Sequence, residues 1–318
     1  MTTSPPLAAP VHPSLATATA APPRRLEPRT LLLVGAAVAA ASLAVAVVGL
    51  VADPRQIAGS PAWLKPAKFG VSITVYLVTL QWILSFVRGH RRLLLVVTGV
   101  TLVALVVEIV LIDLQVVRGT TSHFNKATAF DTAVYNAMGG LISSLFVVAV
   151  IAAVLLLRTR GLDAGIAAGM RWGLLLALLG MLEAVLMTVN FGWSDGGGHT
   201  VGASDGGPGL PITGWSTEHG DLRIAHFVGL HALQVLPILA WLLTAVTSLG
   251  SRTRVRLLAV AGAGYGGAML LLTWQALRGQ ALLSPDGPTL VAAAALALLV
   301  LAGTRAALGS ATRRAAES

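Results

Sequence analysis

Eight separate runs of apolar residues, each about as long as a bilayer is thick, constrain this chain more than any other feature. They fall at 31–51, 69–87, 93–116, 137–157, 172–191, 224–248, 255–275 and 288–308. A helix needs about 20 apolar residues to cross about 30 Å of hydrocarbon. A segment in lipid must also satisfy its own backbone hydrogen bonds, which makes the runs helices. The expected fold is all-α, a polytopic membrane helical bundle of about eight transmembrane helices. Composition agrees, with 55% hydrophobic and 11% charged residues, against about 25% charged in soluble domains. The first run spans 21 residues, longer than the roughly 7–15 of a secretory signal, so an uncleaved first helix is expected.

Residues 1–29 are rich in Pro, Ala and Thr and lack an apolar run, as a disordered cytoplasmic tail would. Residues 30–309 form the eight-helix domain, and 310–318 a second cytoplasmic tail. Cations test this orientation. With the N-terminus inside, the outer segments hold only Arg55, Lys65, Lys68, Arg118, Lys126, Arg223 and Arg278, which is 7 of the 22. The other 15 fall three to each of the five inner segments, as the positive-inside rule requires. Trp63, Trp193, Trp215 and Trp274 lie near the outer interface and Trp172 near the inner one, where aromatic belts form. The 19 Arg against 3 Lys, with heavy Ala and Gly usage, point to a high-GC bacterium and hence its plasma membrane. The net charge of +9 does not imply nucleic acid, because no basic stripe carries interleaved aromatics. The absence of cysteine excludes disulfides, thiol catalysis and Cys-ligated metal centres.

A weak internal repeat is visible. Gln115-Val116-Val117-Arg118-Gly119 ends the third run, and Gln275-Ala276-Leu277-Arg278-Gly279 ends the seventh, 160 residues on. Leu80-Gln81 and Trp82 loosely echo Leu233-Gln234 and Trp241. Two parallel four-helix halves would produce this pattern.

Polar residues inside spans cost about 2.5–3.5 kcal/mol each when ionisable, and are paired or functional. The third helix carries Glu108, Asp113 and Gln115, with Arg118 at its outer end; the fifth carries Glu183 and Asn190; the sixth carries Arg223, His226, His231 and Gln234. Glu108 and Gln115 are seven apart and share a helix face, as do Glu183 and Asn190. His226 and His231 are five apart, about 140° around the helix, so they diverge, whereas His231 and Gln234 can converge. The outer loops add Lys65 and Lys68, then His123 and Asn125 with Asp131 further on, and Asp195, Asp205, His219 and Asp221 in a Gly-rich segment. All three lysines are outer. The inner loops hold little besides Arg, Gly and apolar residues, His90 and Asp163 excepted. A polar pocket opening to the extracytoplasmic side is the expected consequence.

Structural readings stand beside the functional ones. Glu108, Glu183 and Arg118 would form a buried ion pair that fixes packing, and His226 and His231 would be interhelical hydrogen-bonding residues. Alternatively His226 or His231 ligates a metal or haem, with His123 or His219 as partner. Asp205-Gly206-Gly207-Pro208-Gly209 is a turn-rich loop and not a phosphate cradle, since no Lys-Ser/Thr pair accompanies it.

Trp-Leu-Lys-Pro-Ala-Lys-Phe at 63–69, Arg-Gly-Thr-Thr-Ser-His-Phe-Asn at 118–125 and His-Phe-Val-Gly-Leu-His-Ala-Leu-Gln at 226–234 resemble uncharacterised polytopic membrane proteins of high-GC bacteria. That resemblance implies no particular reaction. Eight helices in two halves are also loosely similar to haem A synthases, which place haem-ligating histidines on helices of both halves. Here the spans hold only His226 and His231, both on one helix, which departs from that family's pattern.

Three functional classes are therefore expected. The first is a transporter or receptor for a small polar or anionic ligand. In it Lys65, Lys68, Arg118 and Arg223 supply positive charge, while Gln115, His123, Asn125 and Gln234 line the site. Glu108, Glu183, His226 and His231 relay protons. The second is a haem or metal redox protein using His226 or His231, and the third is a non-catalytic assembly factor. Besides the lipid bilayer, no partner or oligomeric state is legible.

Overall fold

The computed structural model of the chain describes residues 27–189 and 197–317, with side chains as far as 309. Among these residues eight helices are long and apolar enough to cross a membrane. They are α1 (Pro28–Ala52), α2 (Leu64–Leu84), α3 (Arg91–Val117), α4 (Ala129–Arg158), α5 (Ala164–Val189), α6 (Arg223–Val246), α7 (Ser251–Leu277) and α8 (Gly287–Glu317). Two short antiparallel ribbons interrupt them. β1 (Gln56–Ile57) pairs with β2 (Ser60–Pro61) between α1 and α2, and β3 (Thr200–Val201) pairs with β4 (Gly220–Asp221) between α5 and α6.

Local chemistry sets the helix ends. Pro28 opens α1, where a missing N–H costs nothing. α4 starts at Ala129, eight residues before the apolar run at 137. Thr128 Oγ1 accepts the Asp131 N–H, and the Asp131 carboxylate sits at the positive end of the helix dipole. α8 continues to Glu317, so helical backbone extends through 310–317 of the expected C-terminal tail. Residues 1–26 of the expected N-terminal tail lie outside the described residues, as do Asn190, Trp193 and Asp195.

Alternation of eight spans puts both termini at one face, here the terminal face. At the opposite, distal face the connecting segments meet. Trp63 Nε1 donates to Asp53 Oδ2 (2.8 Å), Lys68 Nζ to the Thr213 carbonyl (2.9 Å), and Leu222 N–H to the His199 carbonyl (2.9 Å). At the terminal face Arg254 pairs with Asp163 at 2.7 Å, joining α7 to the α4–α5 turn.

Within each half the first helix packs on the second and third, and the third on the fourth: α1 on α2 and α3, then α5 on α6 and α7. Between lipid-soluble helices no hydrophobic force discriminates partners, so small residues that allow close approach decide packing. Gly169, Gly173 and Gly180 of α5 face Leu236, Ala232 and Gly229 of α6; a Cβ on Gly180 would lie 2.6 Å from the Gly229 carbonyl carbon. Gly70 of α2 meets Ala39 and Leu43 of α1 in the same manner. The shared core runs from α1 to α5 through Leu77, Ile83, Val97, Ala104, Ile109, Leu156 and Met170, all fully buried. Val45, Val48, Val103 and Leu175 stay exposed, as lipid-facing residues do. α8 is the most peripheral span, with 6% of its apolar window buried.

The halves match in detail. Arg118 and Arg278 both end a helix, and the glycines that follow have φ of +75° and +71°. Arg118 bonds Asp131 of the next helix start and lies 4.4 Å from the Phe130 ring centroid; Arg278 bonds Asp286 and lies 4.4 Å from that of Trp274. At the starts of α4 and α8, Thr and Asp trade places: Thr128 caps with Asp131 beyond it, whereas Asp286 caps with Thr289 beyond it. The same exchange occurs inside the membrane. Asp113 of α3 accepts from Ser42 of α1 (2.8 Å), and Thr273 of α7 donates to Glu183 of α5 (2.6 Å).

Candidate functional site

The distal ends of α2 and α3 and the α3–α4 loop bring Lys65, His123 and Glu108 into a line. Lys65 lies on the first turn of α2. Its Nζ is 3.0 Å from His123 Nδ1, which also lies 3.0 Å from Ser122 Oγ. His123 Nε2 is 3.5 Å from Glu108 Oε1. Two donors facing Nδ1 assign the ring proton to Nε2, directed at the carboxyl group. The loop can place His123 this way because Phe124 takes φ +55°, and because Asn125 Nδ2 donates to Thr120 Oγ1 and to the Thr121 carbonyl. Phe69, one turn beyond Lys65, holds the imidazole from the side, with ring centroids 5.7 Å apart.

Glu108 is 2% exposed, and its Oε2 has no hydrogen-bond partner among the described residues. An oxygen left unmatched at that depth can accept a further hydrogen bond or a proton. Burial, and after it the Lys65 charge, hold His123 well below the ordinary histidine value. The ring keeps 30% of its surface exposed, so water tempers that depression without reversing it. His123 is neutral at neutral pH.

A second layer comes from the α5–α6 segment. Lys68 Nζ bonds the Thr213 carbonyl, and Arg223 grips Asp221 and donates to the Gly214 carbonyl (2.5 Å). Burial alone would raise Asp221; the Arg223 hydrogen bonds and charge outweigh it and hold the carboxyl below its usual range. His199 pairs with Asp205 at 3.0 Å, and burial followed by the Arg223 charge lowers it to about 4. Arg223 is thus neutralised by Asp221. Lys65 and Lys68 have no carboxylate within salt-bridge distance among the described residues.

Other expected site residues separate from this cluster. Arg118 and Gln115 both bond Asp131 (2.5 and 2.9 Å), so the expected pairing of Arg118 with Glu108 and Glu183 does not form. Glu183 accepts from Thr273 instead. Asn125 serves the loop's own backbone. His226 Nδ1–H donates to the Gly180 carbonyl (2.7 Å), tying α6 to α5, which matches the interhelical reading. His231 Nδ1–H donates to the Phe227 carbonyl one turn back, its ring 4.0 Å from that of Phe227. Gln234 reaches Thr79 of α2 at 3.5 Å, so His231 and Gln234 do not share a centre. No group of three or more His, Asp or Glu side chains forms a ligand set among the described residues. The two spanning histidines bond different carbonyls through Nδ1, His226 across to α5 and His231 back along α6.

Ser122, His199 and Thr213 were not legible as site residues. No periodicity marks them: Thr213 is recruited by the distant Lys68, whereas Ser122 and His199 act within their own connecting segments, on His123 and Asp205. Matching the halves through Gly70 and Gly229, and through Gln115 and Gln275, adds a discrimination. The arginine–aspartate caps and the hydroxyl–carboxyl pairs occur in both halves and are therefore scaffold. Lys65 corresponds to Ile224, Glu108 to Ala268, and the His123 region to Ala281-Leu282-Leu283-Ser284. The line of titratable groups exists in one half alone, as a functional addition would. Comparison of the chain with protein-family profiles, with curated proteins and with solved structures found no match.

Proposed function

We propose that this integral membrane protein binds a small anion at its distal face and couples that binding to proton movement along Lys65, His123 and Glu108. The observation that carries the reading is the contact from a half-buried lysine through a neutral imidazole to a buried carboxyl group with a spare oxygen. Lys65 and Lys68 offer two charges to a carboxylate or phosphate group. Lys65 is also one cause of His123's low proton affinity. An anion that offsets the lysine charge therefore favours proton uptake at His123. A proton arriving at Nδ1 while the Nε2 proton leaves for the Glu108 carboxylate keeps the ring neutral and ends with Glu108 protonated. By linkage the proton must strengthen anion binding equally. The Arg-, Ala- and Gly-rich composition supports a bacterial plasma membrane location, and the cation distribution supports cytoplasmic termini and an extracytoplasmic site.

Proteoliposomes loaded with a pH-sensitive dye and exposed to a panel of small carboxylates and phosphate test the reading. Anion addition should acidify the lumen. Glu108→Gln and His123→Gln should each slow that signal by at least about a hundredfold, the lower end of what one positioned proton-transfer group contributes. Lys65→Gln should weaken the apparent anion affinity. Wild-type rates in both relay variants, or no proton movement with any anion, would defeat the proposal.

A further inference from the structure

The seam between the halves, at the terminal face, holds two adjoining hollows that the distal site does not use. One, of about 420 Å³, is lined by Thr159, Arg160, Leu162, Ala168, Arg171 and Val255. The other, of about 260 Å³, runs along α4 and α5 between Ala153, Leu157, Trp172, Leu174, Leu175 and Leu178. Arg171 lines both, so its side chain borders each hollow. They exist because α4 and α5 pack much more sparsely than α5 and α6 or α3 and α4. The small residues that close those other pairs are turned elsewhere, Gly169 and Gly173 being spent on α6.

The hollows differ in chemistry. The wider one sits at the level of the α4–α5 turn and carries two exposed arginines. Arg254 nearby is matched by Asp163, but no carboxylate contacts Arg160 or Arg171 among the described residues. The narrower one lies within the span and, apart from Arg171 at its mouth, is lined by apolar residues and an indole. A cationic mouth above an apolar slot at membrane depth matches one class of molecule in charge and polarity together. Water-soluble anions would leave the slot empty, and a zwitterionic lipid would bring its own cation against the arginines. The wider hollow's volume is within the range of about 300–1,000 Å³ typical of small-ligand sites, and basic clefts between spans are known to take anionic headgroups.

We infer that an anionic phospholipid occupies this seam, its phosphate against Arg160 and Arg171 and one acyl chain along Leu157, Leu174 and Leu178. It would fill the gap between the four-helix halves and fasten them at the face opposite the distal site. The inference is independent of the proton-coupling proposal.

Native mass spectrometry of the detergent-purified full chain, titrated with phosphatidylglycerol or phosphatidylcholine, tests it. The wild type should retain phosphatidylglycerol preferentially. Arg160→Gln combined with Arg171→Gln should weaken that retention about thirtyfold, the effect of two surface-level charges. Arg88→Gln with Arg92→Gln, at the same face but away from the seam, should leave it unchanged. Leu178→Trp, which fills the slot without altering charge, should lower retention while size-exclusion behaviour stays monodisperse. Equal retention of the two lipids would overturn the inference, as would an equal loss in the Arg88/Arg92 variant. Competition by inorganic phosphate at the lipid's own concentration would also overturn it, by showing that the acyl slot contributes nothing.

Discussion

Asp131 and Asp286 hold equivalent arginines, yet their side chains are 4% and 35% exposed. The first also collects Gln115 and Thr128, so it organises a buried network where the second closes a surface turn. The same contrast of burial separates the histidines. An ordinary histidine titrates near 6.5, whereas burial and Arg223 hold His199 at about 4 despite the upward pull of Asp205. Between these values the unfolded chain binds a proton that the folded protein refuses. Stability from this source is therefore intact above about pH 6.5 and is lost as the pH falls towards 4. Thermal unfolding in detergent should show a lower Tm at about pH 5 than at about pH 7, and His199→Gln should shrink that difference. A difference of unchanged size in the variant would assign it to other groups.

At the scale of elements, the contact of α5 with α6 is the tightest device in the bundle. Gly180 and Gly229 bring the two backbones together, and the Gly180 carbonyl receives the His226 ring proton across that gap. Gly180→Ala places a methyl group against backbone atoms that cannot rotate away. It should destabilise the protein by about 1–3 kcal/mol, the usual overpacking cost. Gly139→Ala and Gly140→Ala in α4, where a Cβ meets nothing within 4 Å, should instead stabilise by about 0.4–1 kcal/mol each in the same denaturation measurement. The sparsely packed α4–α5 pair is the complement of this arrangement. One face of α5 cannot press its glycines into α6 and also close on α4.

For the whole molecule, the two faces have opposite chemistry: a clustered, titratable distal face and an arginine-studded terminal face. The chain contains no cysteine, so single replacements report position without background. Lys126→Cys should react with a membrane-impermeant maleimide added to whole cells. Arg252→Cys should react only after the membrane is opened. Labelling of Arg252→Cys alone in intact cells would invert the orientation and place the anion site inside.

Much of the architecture was legible because lipid allows few solutions. Runs of about 20 apolar residues admit only helices, and the Gln-x-x-Arg-Gly echo of 115–119 at 275–279 marked turns that prove equivalent to within a few degrees of φ. Glu108, His123 and Lys65 could be flagged singly as polar residues near one face. Their order was not legible, because His123 reaches Glu108 and Lys65 only through the backbone geometry of its loop. Nor did spacing reveal that Arg118 turns to Asp131, that His226 turns to Gly180, or that His231 folds back on its own helix. The intrinsic pattern of apolarity and charge therefore determined span number and expected orientation, since each span answers to the bilayer separately. Partner choice among the polar groups was decided only in the tertiary structure. It depends on which distant segments stand within about 3 Å, a quantity that periodicity along one helix does not contain.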